Sequence, residues 1–386
     1  MLKWLIASVK RQGWGTLLLW LLMVAPAYAE LELRVAIKQN IDTVTVGSST
    51  SAVVKDSSGQ TLGQIPAMGA FTAQFAAGRV AINQWLAGLV WIEPQDDGYV
   101  YIGDRWYRGR TLLIPSTAGL TAVNYVDLEQ YLYSVVGAEM GGSWPQEALK
   151  AQAVAARSYA LYKRQRSTNA LYDLVGTQAS QVYQGLIKEA VGTHVAVEAT
   201  AGQVITHNGQ IIDAVFHACS GGHTENVENV WTHPLPYLRG VPDFDQGTHE
   251  SCQQWDKSVS AAEFGNLFPN IGNLLSIEYE RTPWGRVKTL QVIGDGGTQV
   301  MRGDELRKSL GLRSTLFSVF PLGGEVASIG TVTSAPISFQ FTGRGYGHGI
   351  GMSQWGAFSM AKQGYDYRQI LGHYYSGVEL AEIQVE

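Results

Sequence analysis

The side chains that could do chemistry fall into three clusters, far apart in the chain. In the first, Ala138-Glu139-Met140, the carboxyl of Glu139 continues the helical row of Leu132 and Val135. Apolar neighbours disfavour a charged carboxylate, which raises its pKa toward the range a general acid needs near neutral pH. The competing explanation is a buried Glu139 that pairs with Arg157 and locks two helices together. Arg157 lies on an inner row with Leu149 and Ala153 and is expected to face Glu139. The second cluster runs from Phe216 to Asn226 and is followed by Trp231; His217, Ser220, His223 and Glu225 are its candidate ligand-binding side chains. His217, Cys219 and His223, with Cys252 as a fourth ligand, have a spacing a metal could use, but it is not a strong zinc pattern. No Gly-x-Ser-x-Gly occurs here, so a hydrolase elbow is not supported. The third cluster is Gly343 to Ala357, where glycine at every second position predicts a strand with one bare face and Arg344, Tyr346 and His348 on the other. A polymer could approach that bare face, or the small-sided Lys150–Ala160 helix could pack on it. No Gly-Lys-Ser/Thr follows, so a phosphate loop is excluded.

The elements that must position these clusters can be read from period and caps. From Leu31 to about Ser116 short strand-like runs alternate with turn residues and carry no reactive constellation. Asp127 and Gln130 form a capping box that starts the helix leading to Glu139. Ser143-Trp144-Pro145 opens a second helix rich in small residues. From Gly192 to Ala218 the pattern reads as β again, and residues 256–330 read as an inserted subdomain with a helix at Gly303–Leu310. Ser353 caps a helix that Gly364 stops, and Asp366 with Gln369 caps another. The expected class is α+β: a β-rich scaffold, a small helical catalytic subdomain and a glycine-rich strand-helix C-terminal part.

Composition narrows the function. Of 386 residues, 16 % are charged and 45 % hydrophobic, enough to bury a sizeable core, and the aromatics include 11 Trp and 18 Tyr. A net charge of −5 without a basic stripe argues against nucleic acid as a partner. At the N-terminus Lys3, Lys10 and Arg11 precede an apolar run from Thr16 to Val24 and then Ala27-Tyr28-Ala29. This predicts a signal peptide over 1–29, cleaved after Ala29, and an exported protein; an uncleaved anchor is the alternative. The run is short of the ~20 residues that a spanning helix needs. Two cysteines in an exported chain, Cys219 and Cys252, suggest a disulfide rather than a metal site.

Together these clusters resemble the family of stage II sporulation protein D and the amidase enhancer (SpoIID/LytB). The matching residues are Tyr131-Leu132 through Glu139-Met140, Trp144 through Ala160, Gln181-Val182-Tyr183-Gln184-Gly185, Ser220 through Glu225 and Gly347 through Gln354. The likeness covers roughly Ala118 to Ser376, weakly within 256–330. It implies a SpoIID/LytB-type domain over 117–386, with its core in 117–255 and 331–386, after a β-rich region over 30–116. It also implies a peptidoglycan protein. Sporulation members are lytic transglycosylases that cleave between N-acetylmuramic acid and N-acetylglucosamine and leave 1,6-anhydro ends. Glu139 would be the sole acid and base, with Arg157, Gln181, Tyr183, Arg344, Tyr346, His348 and Gln354 among the substrate-binding residues. Other members are amidase enhancers, a non-catalytic wall-binding role in which Trp144, Tyr183 and Trp231 would hold glycan. Expected partners are therefore glycan strands and, secondly, a cell-wall amidase. Some relatives hold zinc with Cys and His just before the Gln-Val-Tyr motif. Leu174 to Ser180 contains neither, so no metal and no cofactor is expected here. Members occur in bacteria that never sporulate, so sporulation is not implied.

Overall fold

The computed structural model describes residues 31–231, 233–323, 326–327, 331–332 and 336–383. The leader expected over 1–29 lies outside them. The fold is α+β and β-rich, as the alternating patterns predict. Glu32–Ile41 pairs antiparallel with Gly119–Asp127, opposing Glu32 to Asp127. On its other side it runs parallel to Leu174–Val175, with Val35 opposite Leu174. These strands belong to a seven-stranded sheet that continues through Arg110–Ser116, Val90–Pro94, Ala52–Lys55 and Thr61–Ile65. A six-stranded sheet built around Thr43–Ser48 and Ala70–Ala76 shares its apolar core, where Val46, Ile82 and Ile102 join Leu33, Val54 and Ile92. This scaffold reaches the chemistry directly. Gly119–Asp127 runs straight into the helix that carries Glu139, and Leu174–Val175 leads into the Gln181–Tyr183 segment.

The first helix, α1 (Leu128–Glu139), is capped by Asp127, whose carboxylate accepts the N–H groups of Glu129 and Gln130. The second, α2 (Gln146–Arg166), starts after Pro145. Ala151, Ala153, Ala155, Ala156 and Ala160 of α2 are fully buried, and their small side chains let neighbouring helices come close. One of those neighbours corrects the sequence pattern: Val191–Glu198 is a helix, α3, not a strand. Its buried Thr193, Ala196 and Val197 recur at helical spacing, and packing against α1 and α2 overrides the β preference of its branched residues. Near the C-terminus, α4 (Gln354–Lys362) and α5 (Tyr367–Tyr374) begin at the expected caps, Ser353 and Asp366. Both lie on α2. The last described strand, Glu379–Glu382, pairs antiparallel with Gln203–His207.

A second apolar core, from Trp255 to Phe341, fills the region read as an insert. It includes the sheet of Trp255–Ser260, Ser338–Gly343 and Phe317–Leu322, and the helix Gly303–Ser309. Cys219 and Cys252 form a disulfide with a Cα separation of 5.7 Å, which ties this unit to the helical part.

The glycine-rich segment is not the expected strand. The strand Ser338–Gly343 stops at Gly343, and Gly345, Gly347, Gly349 and Gly351 adopt φ of +76°, +112°, +80° and +69°. Alternating glycines here supply a run of left-handed backbone, which side chains disfavour and an extended strand does not use. A Cβ on Gly349 would lie 2.3 Å from the guanidinium carbon of Arg286. Gly349→Ala should therefore lower stability by about 1–3 kcal/mol through backbone strain alone, with the clash adding to it. Thermal unfolding of the variant checks this, and an unchanged midpoint would count against the tight fit.

Candidate active site

Glu139 is the last residue of α1, and its carboxyl is largely buried. One oxygen accepts the Val182 N–H at 3.1 Å, and the other accepts the side-chain amide of Gln354 at 3.3 Å. Burial pushes the carboxyl pKa up, and the two hydrogen bonds only partly oppose that rise. No cation and no second carboxylate is among the groups that shift it, counting the described residues. The same Gln354 amide lies 3.4 Å from the side-chain oxygen of Gln152, a fully buried residue of α2. The carboxyl is thus held from two sides by neutral donors. One comes from the loop that the β-scaffold presents, the other from the first turn of α4. Trp355, which follows Gln354 in the chain, has its ring 4.6 Å from that of Trp144; Phe358 packs on both, and exposed His249 stacks on Trp355 at 4.8 Å.

Arg157 does not face Glu139. Its fully buried guanidinium forks onto Glu129 at 2.7 and 2.5 Å and donates to the Gln203 carbonyl at 3.0 Å. Arg157 lies on the inner row of α2 as expected, but the acid of α1 that it meets is Glu129, in the first turn. Gln181 and Tyr183 are also interior. Gln181 accepts the Tyr131 hydroxyl at 3.1 Å, and the Tyr183 hydroxyl donates to Asn124 at 2.8 Å. Both brace the segment that presents the Val182 N–H, and buried Tyr183 has no open face for a sugar.

The Ser220–Glu225 loop is likewise a braced element. Ser220 is buried and donates to Asp243 at 2.6 Å, while the Gly221 N–H reaches Asp245 at 2.7 Å. Asp245 is raised to about 6 by burial and by Asp243 beside it. Arg286, from the second core, is buried within this loop and donates to the Ser220 carbonyl at 2.6 Å. Glu225 is buried and accepts from the Asn226 N–H at 3.0 Å and the Asn229 amide at 2.8 Å. It is therefore not placed as a second catalytic carboxylate. His223 stacks on Trp284 at 3.9 Å. Tyr346 is 45 % exposed, and Arg344 is exposed. Gln354 is the only one of the predicted binding residues with a hydrogen bond to Glu139 among the described residues.

His217 and His348 sit with their rings 5.2 Å apart. Burial first, then nearby positive charge, lowers both, His348 to about 4. An ordinary unfolded histidine titrates near 6.5. Stability from keeping the two rings neutral is therefore present above that value and is lost as pH falls through the folded-state pKa. Asp245, raised, works in the opposite direction over the same descent. His348→Gln should lose less of its thermal midpoint than the parent between pH 7 and pH 5. An equal loss in both proteins would assign the acid sensitivity elsewhere.

Comparison with known proteins matches residues 116–207 to the family described as Stage II sporulation protein, and residues 263–351 to a domain of unknown function (DUF8618). Stage II sporulation protein D of Bacillus subtilis is 34 % identical over 282 residues, covering 68 % of this chain and 76 % of that protein. This chain belongs to the stage II sporulation protein D family. An uncharacterized protein of Brachyspira hyodysenteriae is 33 % identical over 303 residues, 78 % of each chain. The amidase enhancer of Bacillus subtilis is 30 % identical over 292 residues, 64 % of this chain and 40 % of that protein. Membership in this family supports a cell-wall-related role.

The zinc that the resemblance implies for some members does not fit the residues present here. The oxygens available before Gln181 are engaged in local turns. Ser180 accepts the Val175 N–H at 3.3 Å, and Thr177 accepts that of Ala179 at 3.4 Å. No thiolate or imidazole is present there to bind zinc. Sequence reasoning also missed three parts of the site: Gln152, the Val182 N–H and the His249–Trp355 stack. A glutamine in the alanine run of α2 was the available signal for Gln152. A main-chain donor and a ring pair distant in sequence leave no such signal.

Proposed function

We propose that this protein is an exported lytic transglycosylase that cleaves peptidoglycan glycan strands between N-acetylmuramic acid and N-acetylglucosamine. The observation that carries this is Glu139, a largely buried carboxyl with a raised pKa, two neutral hydrogen-bond donors and, among the described residues, no cationic partner. Ordinary glycosidases need two carboxylates, because water or an enzyme nucleophile must attack from a second position. Here the sugar supplies the attacking oxygen. Protonated Glu139 gives its proton to the glycosidic oxygen as the bond to the anomeric carbon breaks. The 6-hydroxyl of the muramyl residue then bonds to that carbon and releases its proton to the Glu139 carboxylate. The two donors on Glu139 favour the carboxylate of the second step, and burial favours the acid of the first. The product is a 1,6-anhydro end, and the carboxyl returns to its starting state. Mass spectrometry of purified sacculi treated with the mature chain should detect anhydro-muropeptides. Reducing-end products alone would refute the mechanism.

The enhancer reading is the second one, favoured by the relative named amidase enhancer and by the aromatic cluster of Trp144, Trp355 and His249. On that reading the chain holds glycan, and a separate cell-wall amidase does the cutting.

A further inference from the structure

Beyond Glu139, the second core opens a cavity of about 630 Å³, bounded by Gln253, Gln254, Arg281, Trp284 and Arg344. Its charged lining is arginine alone, in a chain whose net charge is −5. Among the described residues Arg281 contacts neutral groups: it donates to the Gly285 carbonyl at 2.8 Å and the Ser318 hydroxyl at 3.1 Å and lies over the Tyr279 ring at 4.6 Å. Arg344 extends from the rim with no acidic partner among the described residues. Guanidiniums without an acidic partner that line one shallow, open depression are available for a carboxylate. Trp284 supplies a flat apolar wall: it is 41 % exposed and is backed by His223 at 3.9 Å.

The rim is fixed rather than loose. The Arg344 N–H donates to the Leu316 carbonyl at 3.1 Å, and the next N–H, of Gly345, reaches the Cys252 carbonyl at 2.9 Å beside the disulfide. The cavity is also connected to Glu139 by short steps. From Gln253 the helix Glu250–Gln253 leads back about one turn, about 5.4 Å, to His249. His249 stacks on Trp355, and the preceding residue, Gln354, hydrogen-bonds Glu139.

We propose that this cavity is a second binding site, in which Arg281 and Arg344 hold a carboxylate of the glycan polymer and Trp284 supports a sugar face. The carboxylate is either the lactyl group of a muramyl residue or an acidic group of its peptide stem. This proposal rests on the cell-wall reading above, and binding rather than cleavage tests it. The probes are a chitin oligosaccharide, which is uncharged, glycan strands stripped of peptide, and strands bearing stems. Each is titrated by calorimetry against the full mature chain carrying Glu139→Gln.

The parent should bind a carboxylate-bearing strand about tenfold tighter than chitin at low salt, the scale of one charge-assisted pair. Arg281→Ala with Arg344→Ala should abolish that preference and leave chitin affinity unchanged, and lysine at both positions should restore part of it. A preference already present with stripped strands assigns the lactyl group; one seen only with stems assigns the peptide. A double alanine variant that keeps the full preference overturns the proposed site while the cell-wall reading stands. A parent that binds none of the three probes overturns both.

Discussion

Glu139→Gln should keep the fold and the binding of glycan strands yet lose cleavage by about 10²–10⁴-fold, the usual effect of removing one acid–base group. The loss should lie toward the upper end, because one carboxyl serves both proton transfers. Glutamine is close to an isostere: its carbonyl can keep the Val182 N–H, and its NH2 then faces Gln354, whose amide must turn to present its oxygen. The pH profile gives a second readout. Burial raises the folded pKa of Glu139, so the protonated fraction needed for the first step grows as pH falls toward that value. The rate should rise on that descent and level off once the carboxyl is fully protonated, because the carboxylate of the second step is generated by the first. Single-turnover release of anhydro-muropeptides measures both effects. If the parent and the variant bind sacculi equally and neither releases product, the enzymatic reading fails and the enhancer reading stands.

Arg157→Ala should be strongly destabilising, by about 2–3 kcal/mol, because it removes a fully buried side chain and leaves half-buried Glu129 without its partner. Arg157 joins α2 to Glu129 on α1 and to the carbonyl of Gln203, and the Gly202 N–H completes the Glu129 carboxylate at 3.3 Å. Denaturant unfolding measures the loss. Replacing both partners with apolar residues of similar volume, Arg157→Met with Glu129→Leu, should recover much of it, because no charge is then left without a partner. An Arg157→Ala protein of parental stability that has lost only glycan binding would instead put the guanidinium in contact with substrate.

The legible parts were those that local chemistry decides. Asp127, Ser353 and Asp366 announce their helices because short side chains accept free N–H groups in the first turn. Glu139 stood out because a carboxyl in an apolar row is unusual, and its surroundings keep it unpaired by any cation among the described residues. What failed depended on the third dimension. Arg157 could have met either acid of α1, and only the crossing of the helices selects Glu129. Val191–Glu198 carries branched residues that suit a strand, and its buried face against α1 and α2 makes it a helix. Alternating glycines are equally consistent with a bare-faced strand and with repeated positive φ. The backbone of Ser220 and the side chain of Arg286, both remote in sequence, decide between them by leaving no room for a Cβ.

The pairing of Glu379–Glu382 with Gln203–His207 has a kinetic consequence. Thr206 donates to the Glu379 carbonyl at 3.3 Å across a sequence separation of 173 residues, and the whole second apolar core lies between them. Closing so long a loop is entropically slow, and contacts of this range delay folding more than they weaken the final state. The intervening core, stapled at its start by the Cys219–Cys252 bond, shortens the effective loop once it has formed. Folding should therefore proceed from the nested unit outward, with the C-terminal strand docking late. A chain made in order would leave the edge of Gln203–His207 without this partner until Glu379–Glu382 had been added, and that edge would be open to another strand in the meantime.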